Sequence, residues 1–175
     1  TYPALYLFDG LMYRNIKRKD MSKEEEQYVQ NHLLITSSLY GVIPALAPIA
    51  PHRLDFMTKL KVEKQSLKKL WTETYGQAVA DQETLLSLLS SEFEDVFPKE
   101  VRDKMIRFKF MEEKDGKRKI HSTISKKARG QFLSYLIENH ITKLSDIKQS
   151  SFSGFKFQEN LSQEREFVFV KKVDG

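Results

Sequence analysis

The stretch from Met105 to Ile137 leaves this chain few ways to fold. Ile106, Phe108 and Phe110 alternate with Arg107, Lys109 and Met111, a period of two that assigns each residue type to one face of a strand. Asp115-Gly116 follows, a pair that accepts the positive φ of a two-residue hairpin turn. The return strand carries Arg118, Ile120, Ser122 and Ile124 on one face and Lys117, Lys119, His121 and Thr123 on the other. Such alternation predicts phenylalanines turned to a core and positive charges turned to solvent. "ISKKARGQF" then opens an amphipathic helix, with Ser125 as cap and Ala128, Phe132, Leu133, Leu136 and Ile137 as its apolar stripe.

That helix start carries an anomaly. Lys126, Lys127 and Arg129 fall in the first turn, where the amide end holds part of a positive charge and each cation costs about 0.3–1 kcal/mol. Arg107 and Lys109 point outward on one strand, and Lys117 and Lys119 share a face of its partner. Where those faces coincide, long cations and free helix amides together describe a phosphate site. The alternative is a solubilising surface. From Lys99 to Arg129, twelve Lys or Arg stand against five Asp or Glu, so this segment holds the entire positive excess of a chain whose net charge is +5. Gly130 costs about 1 kcal/mol in a helix interior relative to alanine, and it permits close approach either by another element or by a ligand.

Elsewhere the pattern mixes helices and strands. "YPALYLFDGLMY" reads as a strand or short element ending in a turn, followed by a basic patch at Lys17, Arg18 and Lys19. Ser22 and Glu25 form a capping box for a helix running to about His32. "LLITSSLYG" reads as a buried strand ending at Gly41, and "VIPALAPIAPHR" as a proline-fixed loop with no regular element. Arg53, Asp55, Met57 and Lys59 alternate with Leu54, Phe56, Thr58 and Leu60, which predicts a half-buried strand. Behind Ser66, the positions Leu67, Leu70, Trp71, Thr74, Tyr75 and Ala78 mark an amphipathic helix. "TLLSLLSS" reads as a strand, "TKLSDI" as a short helix or turn, and "REFVFVKK" as a closing strand. A single α/β domain follows, with α+β as the alternative, built on a mixed sheet flanked by helices.

The inventory for catalysis is thin. His32, His52, His121 and His140 lack metal-ligand spacing, and no nucleophile elbow, Walker loop or dinucleotide fingerprint occurs. With no cysteine, thiolate sites and disulfides are excluded within these 175 residues. No cofactor, metal or catalytic residue is therefore expected, and no apolar run is long enough to span a membrane. The oligomeric state is left open.

Three stretches carry a resemblance. "KDGKRKIHSTISKKARGQFLSYLIENHI" resembles the signature of the YaaA family of peroxide stress proteins through Gly116-Lys117, Lys126 to Gly130, and Ile137-Glu138-Asn139. "SSLYGVIPALAPIAPHRLDF" is similar to a second family segment through Leu39, Tyr40, Gly41, Pro51, Arg53, Leu54 and Asp55, and Phe8, Gly10 and Tyr13 match a third. The chain departs from the family at Ile43 to Ala47, where an arginine and an aspartate are replaced, at Thr72 and at His52. It opens at Thr1 without the family's usual start, as expected of an N-terminally truncated member.

The resemblance implies a YaaA-type α/β fold in a cytoplasmic bacterial protein that limits iron-driven oxidative damage and binds DNA, with no established enzymatic activity. Lys117, Lys119, Lys126, Lys127, Arg129 and Gly130 are the expected phosphate-binding residues. Tyr40, Arg53, Asp55, Glu138 and Asn139 are candidates to line a cleft beside them. The partner expected is duplex or branched DNA without sequence preference. The alternative is an enzyme acting on a phosphorylated or nucleotide-like small molecule in the same pocket.

Overall fold

The structure, a computed structural model, describes residues 1–174. In chain order the first elements are β1 (Tyr2–Pro3), α1 (Ala4–Leu7), α2 (Leu11–Arg14), α3 (Lys23–His32), β2 (Leu34–Ser37) and β3 (Gly41–Pro44). There follow β4 (Pro48–Ile49), β5 (Lys61–Val62), β6 (Gln65–Ser66), α4 (Leu67–Ala78), β7 (Leu85–Ser87), α5 (Ser91–Glu94) and α6 (Lys99–Arg102). The last are β8 (Met105–Lys114), β9 (Lys117–Lys119), α7 (Ser122–Glu138), α8 (Leu144–Ile147), β10 (Ser151–Phe152), β11 (Phe155–Phe157) and β12 (Glu166–Lys172). Helices and strands are interspersed, as the α/β reading expects. Residue contacts gather into two compact units, one of residues 1–7 and 32–105 and one of residues 8–31 and 106–174.

The first unit is held by an aromatic core. Tyr75, Val79, Val96, Phe97, Val101 and Met105 are buried together, with Trp71 and Phe56 packed against them. Helix α4 supplies Trp71 and Tyr75 because it starts where expected, with Ser66 Oγ accepting from the Lys69 amide at 3.2 Å. Both rings also carry polar tips: Tyr75 Oη donates to the Ser37 carbonyl and Trp71 Nε1 to the Ser38 carbonyl. These bonds fix the loop between β2 and β3 onto the helix.

The apolar run at the start is made of short elements that end before Asp9-Gly10: a two-residue strand, in which Tyr2 and Pro3 pair with Ile49 and Pro48, and then the turn of α1. Two expectations for this unit need correction. The strand expected to end at Gly41 ends at Ser37. Gly41 instead opens the partner strand β3, so part of the proline-rich stretch is regular, with Pro44 at the end of β3 and Pro48 at the start of β4. Proline is tolerated at such strand ends, where its missing N–H breaks no ladder. Residues 51–60 form no strand, although their burial does alternate. Side chains take the place of a ladder there: Asp55 accepts from the Met57 amide, Thr58 from the Leu60 amide and Glu92 from the Phe56 amide.

The second unit contains a mixed sheet. Strands β10, β11 and β12 are antiparallel neighbours, β12 runs parallel to β8, and β9 returns antiparallel on β8. One face of this sheet is phenylalanine. Phe108, Phe110, Phe152, Phe155, Phe167 and Phe169 share it by register and meet Phe132 of α7, with ring centroids such as Phe108–Phe132 at 4.9 Å.

Helix α3 begins with the expected capping box. Ser22 Oγ accepts from the Glu25 amide and Glu25 Oε1 from the Ser22 amide, both at 3.0 Å, and Lys17 Nζ lies 3.2 Å from Glu25 Oε2. The backbone bond from Ser22, with Lys17, holds the Glu25 carboxyl below its ordinary range. A carboxyl lowered on folding stabilises the native state above its unfolded pKa, and that contribution fades as pH falls through the folded value. We expect Glu25→Gln to lower the urea midpoint at pH 7, with the gap from wild type closing as both are titrated below about pH 4.

Candidate functional site

The basic surface begins at the hairpin of β8 and β9. Asp115 and Gly116 take φ of 53° and 76° at its tip, as the Asp-Gly pair predicts. Register then assigns the faces. Lys117 lies opposite Lys114, Arg118 opposite Glu113 and Lys119 opposite Glu112. Residues directly opposite in an antiparallel pair share a face, so Lys117 and Lys119 extend the face of Phe108, Phe110, Glu112 and Lys114. Arg118 shares the other face, with Arg107 and Lys109. The basic faces expected to coincide are therefore opposite sides of one ribbon.

The two faces differ in electrostatics. On the Lys109 side the cations are neutralised, Lys109 by Glu166 at 3.0 Å and Arg118 by Glu113 at 3.2 Å. On the other side, Lys114, Lys117 and Lys119 are exposed and form no ion pair among the described residues. With His121, Glu112, Asp115 and Val173 they line an open cleft of about 370 Å³. Lys114 and His121 belong to this cleft but were not among the expected residues. A two-residue turn after Lys114 dictates the pairing with Lys117, so Lys114 was open to inference from the sequence.

Helix α7 starts earlier than its sequence suggests. Its N-cap is His121, and the Ser125 amide already donates to the His121 carbonyl at 2.8 Å. Strand β9 has ladder partners for only three residues, and winding Ser122 onward gains a helical bond for each residue fixed. It also buries Ser125. Ser125 is thus inside the helix and not its cap. Lys126 and Lys127 fall in the second turn, where the dipole effect has largely faded, so the expected first-turn penalty does not arise.

The three cations after Ser125 also point apart. Successive residues rotate by about 100° around a helix, so Lys126 and Lys127 diverge, and Arg129 is half-buried while both lysines are exposed. Gly130 is buried, and its missing side chain has a structural use. A Cβ there would lie 2.3 Å from the Met12 carbonyl oxygen and 2.8 Å from Asn15 Cβ. The glycine lets α2 lie against α7, so of the two approaches considered, another element makes it. Four residues on, Ser134 Oγ accepts from the Lys17 amide at 2.8 Å and fastens the same crossing.

The polar candidates occupy different places. Glu138 and Asn139 lie at the C-terminal end of α7, about 18 Å along the axis from Lys126. Asn139 Nδ2 caps the helix on the Tyr135 carbonyl at 2.9 Å. Tyr40, Arg53 and Asp55 belong to the first unit. Tyr40 Oη accepts from the Ala50 amide and its ring meets His52 edge-on. Arg53 and Asp55 form no ion pair with each other among the described residues, because the segment that should align them is irregular. Phe8 and Tyr13 pack ring against ring with centroids 5.3 Å apart, and burial pushes the Tyr13 hydroxyl up to about 12.

Among the described residues no group of three His, Asp or Glu side chains could hold a metal ion. No helix among them is long and apolar enough to cross a membrane.

Residues 1–161 match the family described as peroxide stress protein YaaA. The chain belongs to this family. A UPF0246 protein of Streptococcus gordonii (strain Challis) is 97% identical over 175 residues, covering 100% of this chain and 72% of that protein. UPF0246 proteins of Streptococcus sanguinis (strain SK36) and Streptococcus pneumoniae (strain CGSP14) are 60% and 58% identical, each over 98% of this chain and 71% of the relative. The YaaA assignment puts the chain among peroxide stress proteins.

Proposed function

We propose that the protein acts in peroxide stress by binding the phosphate backbone of DNA and so helps limit iron-driven oxidative damage. One observation carries this reading. Lys117, Lys119, Lys126 and Lys127 are exposed and form no ion pair among the described residues, whereas Lys109 and Arg118, on the opposite face of the same hairpin, are neutralised by carboxylates. Four free ammonium groups on one hairpin-to-helix segment suit an extended polyanion better than a single small anion. Because Lys126 and Lys127 diverge, they engage different phosphates. Contacts of this kind position a backbone without reading sequence.

The salt dependence tests it. Each phosphate contact contributes about 0.9 to the slope of log affinity against log salt on duplex DNA. Lys117→Ala/Lys119→Ala and Lys126→Ala/Lys127→Ala should each flatten that slope by about two units, equally on unrelated sequences. Unchanged slopes in both variants would remove the assignment.

The cleft beside Lys114, Lys117 and Lys119 supports a second reading, an enzyme or receptor for a phosphorylated small molecule. Saturable binding of a nucleoside monophosphate, with no affinity for DNA, would favour it.

A further inference from the structure

The opposite face of the hairpin holds a second cleft, about 440 Å³, of different chemistry. Met111, Leu161 and Val168 supply apolar lining, and Ile120 stands beside them with 53% of its surface exposed. Lys109 Nζ and Glu166 Oε1 lie in the same cleft, 3.0 Å apart. A simple anion gains little here, since the local cations Lys109 and Arg118 already have carboxylate partners. An aliphatic chain would cover the Lys109–Glu166 pair without satisfying it. A flat ring whose edge offers a donor and an acceptor side by side meets both demands.

Nucleobases have that chemistry: an apolar π-face and a hydrogen-bonding edge. Met111 adds a thioether, which makes favourable contacts with aromatic rings. The two clefts are also connected through one strand. Lys117 and Lys119 project to one side of it and Arg118 to the other, so the backbone and base of one nucleotide strand could each find their surface across the same short segment.

We propose that this second cleft takes an unstacked base from the DNA strand whose phosphates engage Lys117 and Lys119, with Lys109 and Glu166 facing the base edge. The proposal rests on the backbone-binding reading above. Extruding a base costs least where it is already unpaired, so the protein should favour gapped, bulged or branched DNA over a perfect duplex.

The test uses the whole chain with three probes: a perfect duplex, the same duplex with one unpaired 2-aminopurine, and 2-aminopurine ribonucleoside monophosphate. The bulged duplex should bind about tenfold tighter than the perfect one, because its unpaired base enters the cleft without the unpairing and unstacking cost that a paired base carries, with a change in 2-aminopurine emission. Ile120→Ser, at a position with 53% of its surface exposed, should abolish the preference and the emission change while leaving the perfect duplex within about twofold, because phosphate contacts read no bases. Met111→Ala should act in the same direction. Lys117→Ala/Lys119→Ala should weaken both duplexes alike. If both duplexes bind equally and Ile120→Ser changes neither, the base site is refuted and the backbone reading stands. If only the free monophosphate binds and Ile120→Ser abolishes it, the backbone reading and the DNA source fall together, while the cleft's base chemistry survives as a nucleotide site.

Discussion

Gly130→Ala should destabilise the protein by roughly 3 kcal/mol, the upper part of the range for overpacking a close contact. The sign is what makes this result informative. In an isolated helix the same change is favourable by about 1 kcal/mol, because alanine loses less backbone entropy than glycine. Here the added methyl meets the Met12 carbonyl oxygen at 2.3 Å. A backbone oxygen within α2, already accepting from the Asn15 amide at 3.0 Å, cannot swing aside as a side chain would, and Asn15 Nδ2 is bonded to the Leu11 carbonyl at 2.8 Å within the same turn. Either α2 leaves α7 or the helix bends. A peptide of residues 122–138 should therefore become more helical with alanine, while the whole chain shows a lower urea midpoint. Equal or greater stability in the whole chain would mean that the crossing yields at little cost.

Gly130 also marks the limit of what the sequence discloses. A glycine inside a helical pattern announces that something comes close, but only the fold says whether it is a ligand or α2. The same limit appears in residues 51–60. Alternating burial is present there, yet a strand needs a neighbour to bond, and side chains such as Asp55 and Glu92 satisfy the amides first. Features whose partners are near in sequence were legible: the capping box of Ser22 and Glu25, the Ser66 cap and the Asp115-Gly116 turn. The basic site was legible as a list of lysines but not as a geometry. Its division into a neutralised face and an unpaired face depends on the register of β9 on β8 and on Glu166 from β12, far along the chain. The helix start was misplaced for a related reason: local pattern favoured Ser125, and the early end of the β9 ladder decided for His121.

Gly41→Ala combines two penalties that another glycine allows to be separated. Ser37 and Gly41 pair across a three-residue loop, and Gly41 takes φ +84° to close it. Left-handed backbone costs an alanine about 1–2 kcal/mol. Its Cβ would also lie 2.9 Å from Cζ3 of Trp71, whose indole is tied to the Ser38 carbonyl at 2.8 Å. Moving the ring aside strains that bond and disturbs its contact with Tyr75. The total should be on the order of 3 kcal/mol, backbone strain and overpacking together. Gly116→Ala supplies the comparison. Gly116 has φ +76° and open space within 4 Å of where a Cβ would stand, so only the backbone part of about 1 kcal/mol remains. Trp71 is the one tryptophan in the chain, so its emission reports directly on the contact. Gly41→Ala should shift that emission toward the red under native conditions and lower the urea midpoint well beyond Gly116→Ala. Unshifted emission with equal losses in the two variants would show that the turn alone requires glycine and that the ring has room to yield.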